Sequence, residues 1–197
     1  MKKVSDNQLN MRMPSESEVI KERRRLQYGK EYRKVLATTI YTILIVAAVA
    51  VLIVTLVLPV LQVSGESMEP TFKDGDIVLL VRTENLETGD LCGFYWNNKL
   101  LLKRVIGTPG DIIKMDAAGN IYVNDLMLDE SYISEKAYGE CCNIDFPYNV
   151  PDNCYFLVGD SRYVSMDSRN TMIGAVSGEQ ILGKVVIKVW PKIKAYS

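Results

Sequence analysis

The sequence predicts a mainly β protein, an antiparallel sheet or partly open barrel, carried behind one N-terminal membrane-spanning helix. Three observations predict it. One uncharged run, from Val35 to Gly65, is long enough to cross a bilayer. After it come seven short segments rich in Val, Ile, Leu, Tyr and Phe, separated by turn-forming residues. No long amphipathic helical pattern appears beyond residue 65, so the strands must pack against one another.

Taken in order, residues 1–34 are polar and include KERRRLQYGKEYRK, which reads as a flexible or partly helical arm. They hold ten Lys/Arg against five Asp/Glu. Acidic residues interrupt the basic run, which argues against nucleic acid as its partner.

The span follows as residues 35–63, with the core ATTIYTILIVAAVAVLIVTLVLPVL. A cleaved leader has an apolar region of about 7–15 residues, and this run is longer. Arg33 and Lys34 stand directly before it, and Glu66, Glu69 and Asp74 follow it. The positive-inside rule then places the N-terminus in the cytoplasm and residues 64–197 outside, with a single crossing of the cell membrane. Pro59 suits the end of the helix.

The expected strands are DIVLLVR (76–82), LCGFYW (91–96), KLLLKRVIG (99–107), DIIKMD (111–116), NIYVNDLML (120–128), CYFLVGD (154–160) and KVVIKVW (184–190). The turn signals KDGD, ETGD, TPGD, AAGN and VPDN lie between them.

The 197 residues suffice for one anchor and one domain. From Leu61 onward 13 Lys/Arg face 19 Asp/Glu, so the body is acidic, which also argues against nucleic acid. The chain has no histidine. That excludes a Ser-His-Asp triad, a Cys-His pair and a His-ligated metal, and any base must be Lys, Asp, Glu or Tyr. The four cysteines, at 92, 141, 142 and 154, form no C-x-x-C pair. Cys92 reads as a small core residue. A bridge from Cys141 or Cys142 to Cys154 stays open, because its geometry is not legible in sequence.

Three segments carry candidate chemistry. In VSGESMEPTFKDGDIV (63–78), a serine beside a glycine can present a hydroxyl and an amide N–H together. An ordinary polar linker reads the same way. In KLLLKRVIGTPGD (99–111), Lys103 shares a strand face with Leu101 and Val105. A buried lysine loses basicity and can accept a proton near neutral pH. A solvated surface lysine is the plainer reading. Arg104 points to the other face and reads as an ion-pair partner. In FLVGDSRYVSMDSRNTMIG (156–174), Asp160, Arg162, Asp167 and Arg169 alternate in charge, as suits a braced loop or solvated surface pairs.

Together these segments resemble the type I signal peptidases, Ser-Lys serine proteases that release secretory signal peptides. SMEPT is similar to the family's nucleophile motif, KRVIGTPGD to its lysine motif and GDSRYVSMDSR to its closing motif. GDIV (75–78) fits between the first two, and the likeness covers about residues 35–190. The resemblance implies Ser67 as nucleophile and Lys103 as general base. It implies Ser165 as the residue orienting the lysine amine, and Asp167 with Arg169 as the ion pair supporting that loop. The Ser67 N–H would serve the oxyanion hole. Some members carry a side-chain donor two residues before the nucleophile; here Gly65 stands there, and Ser64 is offset by one. Ser161 and Val164 replace asparagines common in the family.

The expected substrates are secretory preproteins with small residues at the cleavage site, met at the surface of the lipid bilayer. No metal or organic cofactor is implied. Two other readings share these features: a membrane-tethered, non-catalytic β-domain that binds protein partners, and a self-cleaving Ser-Lys regulator. The span and the absence of a DNA-binding segment count against the second.

Overall fold

The computed structural model describes residues 15–83, 85–137 and 142–196. The chain divides into two units, residues 1–52 and 53–197.

Helix α1 (Glu16–Val57) begins earlier than the apolar run. Ser15 opens it: its N–H donates to Glu18 at 2.9 Å, and its carbonyl accepts from Val19. Glu16 and Glu18 lie in the first turn, where negative charge suits the helix dipole. From Ser15 to Val54 every side chain is exposed, and from Val35 onward the helix is apolar on all sides. Val35 to Val57 rises about 34 Å, against a hydrocarbon core of about 30 Å. One helix is therefore long and apolar enough to cross a membrane.

The helix stops two residues before Pro59, which has no N–H for the ladder and disfavours helical backbone at Leu58. Residues expected to complete the span form strand β1 (Val60–Gln62) instead. β1 pairs with β2 (Ile77–Val81), and the Pro59 carbonyl accepts from the Leu80 N–H at 2.9 Å.

The remaining strands are β3 (Leu91–Trp96), β4 (Lys99–Gly107), β5 (Ile112–Met115), β6 (Ile121–Val123), β7 (Leu126–Met127), β8 (Tyr148–Asn149), β9 (Cys154–Val158), β10 (Val176–Ser177), β11 (Ile181–Trp190) and β12 (Lys194–Ala195). They make two antiparallel sheets. The larger runs β1-β2-β11-β3-β4-β9-β10, with β12 on β11; the smaller runs β7-β6-β5-β8. No pairing joins β1 to β10 among the described residues, so the larger sheet is open.

Two hairpins set the register. Trp96 pairs with Lys99 across Asn97 and Asn98, both at positive φ (46° and 60°), as a two-residue turn matched to strand twist requires. That places Cys92 directly opposite Lys103. Residues 120–128, expected as one strand, fold back on themselves. Asn124 and Asp125 take φ of 49° and 69°, and Val123 pairs with Leu126. Asn and Asp tolerate the left-handed region, so the Asn-Asp pair was the overlooked turn signal. The short strands β1, β8, β10 and β12 also escaped the sequence pattern. With two or three residues each, they carry no legible alternation.

β4 is buried on both faces and feeds three cores. Leu102 packs with Met68, Phe72, Leu80 and Val185. Val105 packs with Cys92, Phe94, Leu157 and Val176. Ile106 packs with Ile113, Ile121, Phe156 and Val158. Cys92 is fully buried, as expected of a core residue. Cys142 and Cys154 are free thiols, so the open question of a bridge between them closes as no bridge; Cys141 lies outside the described residues.

Phe94 is fully buried, whereas Leu126 is 75% exposed. Phe94→Ala is expected to lower unfolding stability by about 3–5 kcal/mol in urea titration, through lost burial and the cavity left behind. Leu126→Ser should stay within about 0.5 kcal/mol of the parent chain.

Candidate active site

The segment after β1 turns twice before β2. Val63 exchanges backbone hydrogen bonds with Asp76 and Gly75, at 2.7 and 2.9 Å, which closes the loop base. The Gly65 N–H donates to Asp74 Oδ1 at 2.8 Å. Gly65 takes φ +86°, and a Cβ there would meet nothing within 4 Å, so backbone conformation rather than space calls for glycine. Within the loop, the Phe72 N–H donates to the Met68 carbonyl at 2.9 Å. Met68 and Phe72, 1% and 0% exposed, anchor this turn in the core. Ser67, beside Met68, is left half-buried at its rim.

Lys103 reaches it from β4. Its Nζ lies 2.7 Å from Ser67 Oγ, and the residue is only 3% exposed. Burial drives the amine from its ordinary 10.5 down to about 8, against the pull of the Asp167 and Asp160 carboxylates, which raise it. Cross-strand, the Cys92 thiol is itself pushed up by burial, and it is the last and smallest of the named influences on the amine. A neutral amine hydrogen-bonded to a hydroxyl can take up its proton.

The turn after β9 forms the third side. The Ser161 N–H donates to the Ser67 carbonyl at 3.1 Å, and the Ser165 N–H donates to the Ser161 carbonyl at 3.1 Å. Gly159 allows this approach: a Cβ there would fall 2.1 Å from Ser165 Oγ and 2.5 Å from the Ser67 carbonyl oxygen. Asp167 accepts from the Gly159 N–H at 2.9 Å and from both Nε and Nη2 of Arg169, each at 2.9 Å. Burial acts to raise the Asp167 carboxyl, but the Arg169 bonds and charge outweigh it and hold it below the usual range. Ser165, 1% exposed, adds to that lowering from beside the carboxylate.

A second contact joins the same three segments. Arg104, next to Lys103 but on the other face, donates from Nε and Nη2 to Asp160 at 2.8 and 2.7 Å. Its Nη1 donates to the Gly89 carbonyl at 2.8 Å. Thr71, from the Ser67 turn, donates its hydroxyl to Asp160 as well. The Tyr132 ring covers the guanidinium, with Cζ 3.8 Å from the ring centroid.

The structure thus brings Ser67 and Lys103 into contact and sets Asp167 with Arg169 behind the turn that carries Ser165. Ser165 and Lys103 share no hydrogen bond, and Gly65 offers only its backbone. The charge alternation in residues 160–169 resolves differently from a self-contained loop. Asp167 pairs locally, whereas Asp160 pairs with Arg104 and Arg162 pairs with Glu130. Sequence reasoning did not single out Gly159, Thr71, Glu130 or Tyr132. The Gly-Asp step ending an apolar strand was the available signal for Gly159, and the end of the SMEPT motif that for Thr71; Glu130 and Tyr132 carried none. Among the described residues no cluster of three His, Cys, Asp or Glu side chains could hold a metal ion.

The chain belongs to a class of peptidases, and its mainly antiparallel β unit with one long apolar helix fits that class. The chain is a member of the signal peptidase family, peptidase S26, whose model matches residues 36–190. It is 32% identical over 173 residues to signal peptidase I U of Bacillus subtilis, covering 82% of this chain and 91% of that one. It is 35% identical over 151 residues to signal peptidase I of Bacillus amyloliquefaciens, covering 72% and 80%. A solved signal peptidase I from Enterococcus faecalis aligns with a TM-score of 0.44 at 26% identity, over 51% of this chain and 96% of that one.

Two outcomes test this geometry. Gly159→Ala should cut peptidase activity by on the order of 10²-fold, since its methyl displaces Ser165 or the Ser67 carbonyl by about an ångström or more; steady-state kinetics on the folded variant measures it. The second concerns stability. Below pH 8 folded and unfolded chains both hold the Lys103 proton, and the fold carries the full penalty of a buried charge. Between 8 and 10.5 only the unfolded chain stays protonated, so stability rises with pH; above 10.5 the dependence ends. The stability gained by Lys103→Met over the parent chain should therefore be about 3 kcal/mol larger at pH 7 than at pH 10.5, read from urea midpoints.

Proposed function

We propose that this chain is a membrane-anchored serine endopeptidase that removes signal peptides from secreted preproteins with a Ser67–Lys103 dyad. The observation that carries the reading is the 2.7 Å contact between Ser67 Oγ and an amine 3% exposed and lowered to about 8.

Ser67 Oγ attacks the scissile carbonyl while Lys103 Nζ takes the hydroxyl proton. The tetrahedral intermediate collapses as the Lys103 ammonium returns that proton to the departing amine, leaving an acyl group on Ser67. Lys103 then deprotonates a water that hydrolyses the ester, and the proton passes back to Ser67. The Ser67 N–H stabilises the oxyanion; in support, it donates to no other described group of the protein. Ser165 offers its hydroxyl to the ammonium formed during the reaction. Its buried Oγ lies beside Asp167, whose carboxyl it helps to lower and which also acts on the Lys103 amine. Asp167 and Arg169 hold the turn that carries it.

The substrates are secretory preproteins with small residues at the cleavage site. Ser67 lies ten residues past Val57, the end of α1, so the chain tethers the site to the membrane from which such substrates emerge. The basic flank before the apolar run sets the N-terminus in the cytoplasm and residues 64–197 outside.

Ser67→Ala should reduce processing of a preprotein by roughly 10⁴-fold, and Lys103→Ala by about 10²–10⁴-fold. Full processing by either variant would end the reading. The rate should climb with pH to a plateau above about 8 and fall tenfold per unit below it, because only neutral Lys103 accepts the proton. A flat profile from pH 6 to 9 would remove Lys103 from the role of base.

A further inference from the structure

We propose that Glu130 acts with Arg162 as a positioning pair for the active site, holding the turn from Gly159 to Ser165 under Ser67 rather than stabilising the fold. The inference rests on the Ser67–Lys103 reading and extends it to a segment outside every motif.

Glu130 lies on the connection that leaves β7, in the smaller sheet. Its side chain is fully buried, and the Arg162 side chain paired with it is 1% exposed. The pairing is incomplete. Glu130 Oε2 and Arg162 Nη1 have no hydrogen-bond partner among the described residues. A buried ion pair that leaves one desolvated atom on each side is a poor stabiliser, and apolar side chains of similar volume often do as well or better. Its use must be sought in what it orients.

Arg162 orients the turn. Its Nε donates to the Gly159 carbonyl at 3.1 Å, and its own carbonyl accepts from Arg169 Nη2 at 2.9 Å. Gly159 is the residue packed tightly between Ser165 Oγ and the Ser67 carbonyl, and Ser161 holds that carbonyl by its N–H. The guanidinium therefore fixes the contact surface beneath the nucleophile, and Glu130 fixes the guanidinium. The same short segment also reaches the other arginine. Tyr132, two residues on, lies over Arg104, while its hydroxyl approaches Glu130 Oε1 at 3.4 Å. One connection from the smaller sheet thus touches both arginines that hold the turn, Arg162 from below and Arg104 through Asp160.

The pH dependence of the reaction should register this role. Asp160 and Asp167, at either end of the turn, both act on the Lys103 amine, along with Arg169 and Cys92. A turn that shifts moves those carboxylates relative to Nζ.

The test uses the full chain in detergent with a preprotein substrate. The double variant Glu130→Leu/Arg162→Met is compared with Glu130→Gln, the parent and Lys103→Ala. The expected result for the double variant is a urea midpoint equal to or above the parent's, with kcat lower by 10-fold or more, KM little changed and a shifted pH–rate midpoint. Glu130→Gln, close in shape, should lower kcat in the same sense and shift the same midpoint well below its unfolding temperature. If the double variant does not fold, Glu130→Gln decides alone. Parent-like kcat and pH profile in any folded variant, or activity loss that merely tracks the unfolded fraction, overturns the inference. Lys103→Ala separates the two claims. Its inactivity beside a fully active Glu130→Gln sinks only the positioning role, whereas its retained activity sinks the dyad itself.

Discussion

The buried contact of Arg104 with Asp160 is the constraint on which the site depends. It joins β4 to the turn after β9, and Thr71 brings the serine turn to the same carboxylate. Each of the three loops ends within one hydrogen-bonded knot. The guanidinium suits the task because its planar fork offers several donors at once, two to Asp160 and one to the Gly89 carbonyl, with a flat face left for Tyr132. Removing either charge would strand the other in a dry interior, which is far more costly than losing a surface pair.

β4 presents adjacent residues to opposite faces, and this separates two demands. Arg104 faces the knot, where its charge is fully paired. Lys103 shares the opposite face with Leu101 and Val105, where no carboxylate among the described residues pairs with it directly and burial lowers its basicity. Asp167 and Asp160 act on the amine from a distance and limit that lowering. The balance leaves the amine close to neutral pH, at some expense in stability. Such a cost is expected of any buried amine held below its ordinary basicity.

Much of the larger sheet was legible because its strands are long enough to show a pattern. β3 and β4 begin and end where the apolar segments do, since the Asn97–Asn98 turn is fixed by local backbone preference. The short strands were not legible, because two or three residues are held by their partners and not by their own propensity. The apolar run overran the helix for a related reason. Hydropathy cannot tell membrane from sheet core, and Pro59 marks where one becomes the other. In the site, Ser67 and Lys103 stood out through motif and missing histidine. Glu130 and Tyr132 did not, as they lie in no motif and act only through side chains distant in sequence.

By itself the sequence determined a single apolar helix and a β-rich body, and its missing histidine narrowed the choice of base. These follow from composition, period and residue type, which are local properties; Ser67 and Lys103 were singled out only through the resemblance of their motifs to a known family. Only the tertiary structure decided that Lys103 is dry, that its amine touches Ser67, and which arginine answers which carboxylate. Burial and ion pairing are relations between segments, here 36 residues apart for Lys103 and Ser67 and 56 for Arg104 and Asp160. No local pattern encodes them, because the low dielectric that lowers the lysine exists only once the distant segments have packed around it.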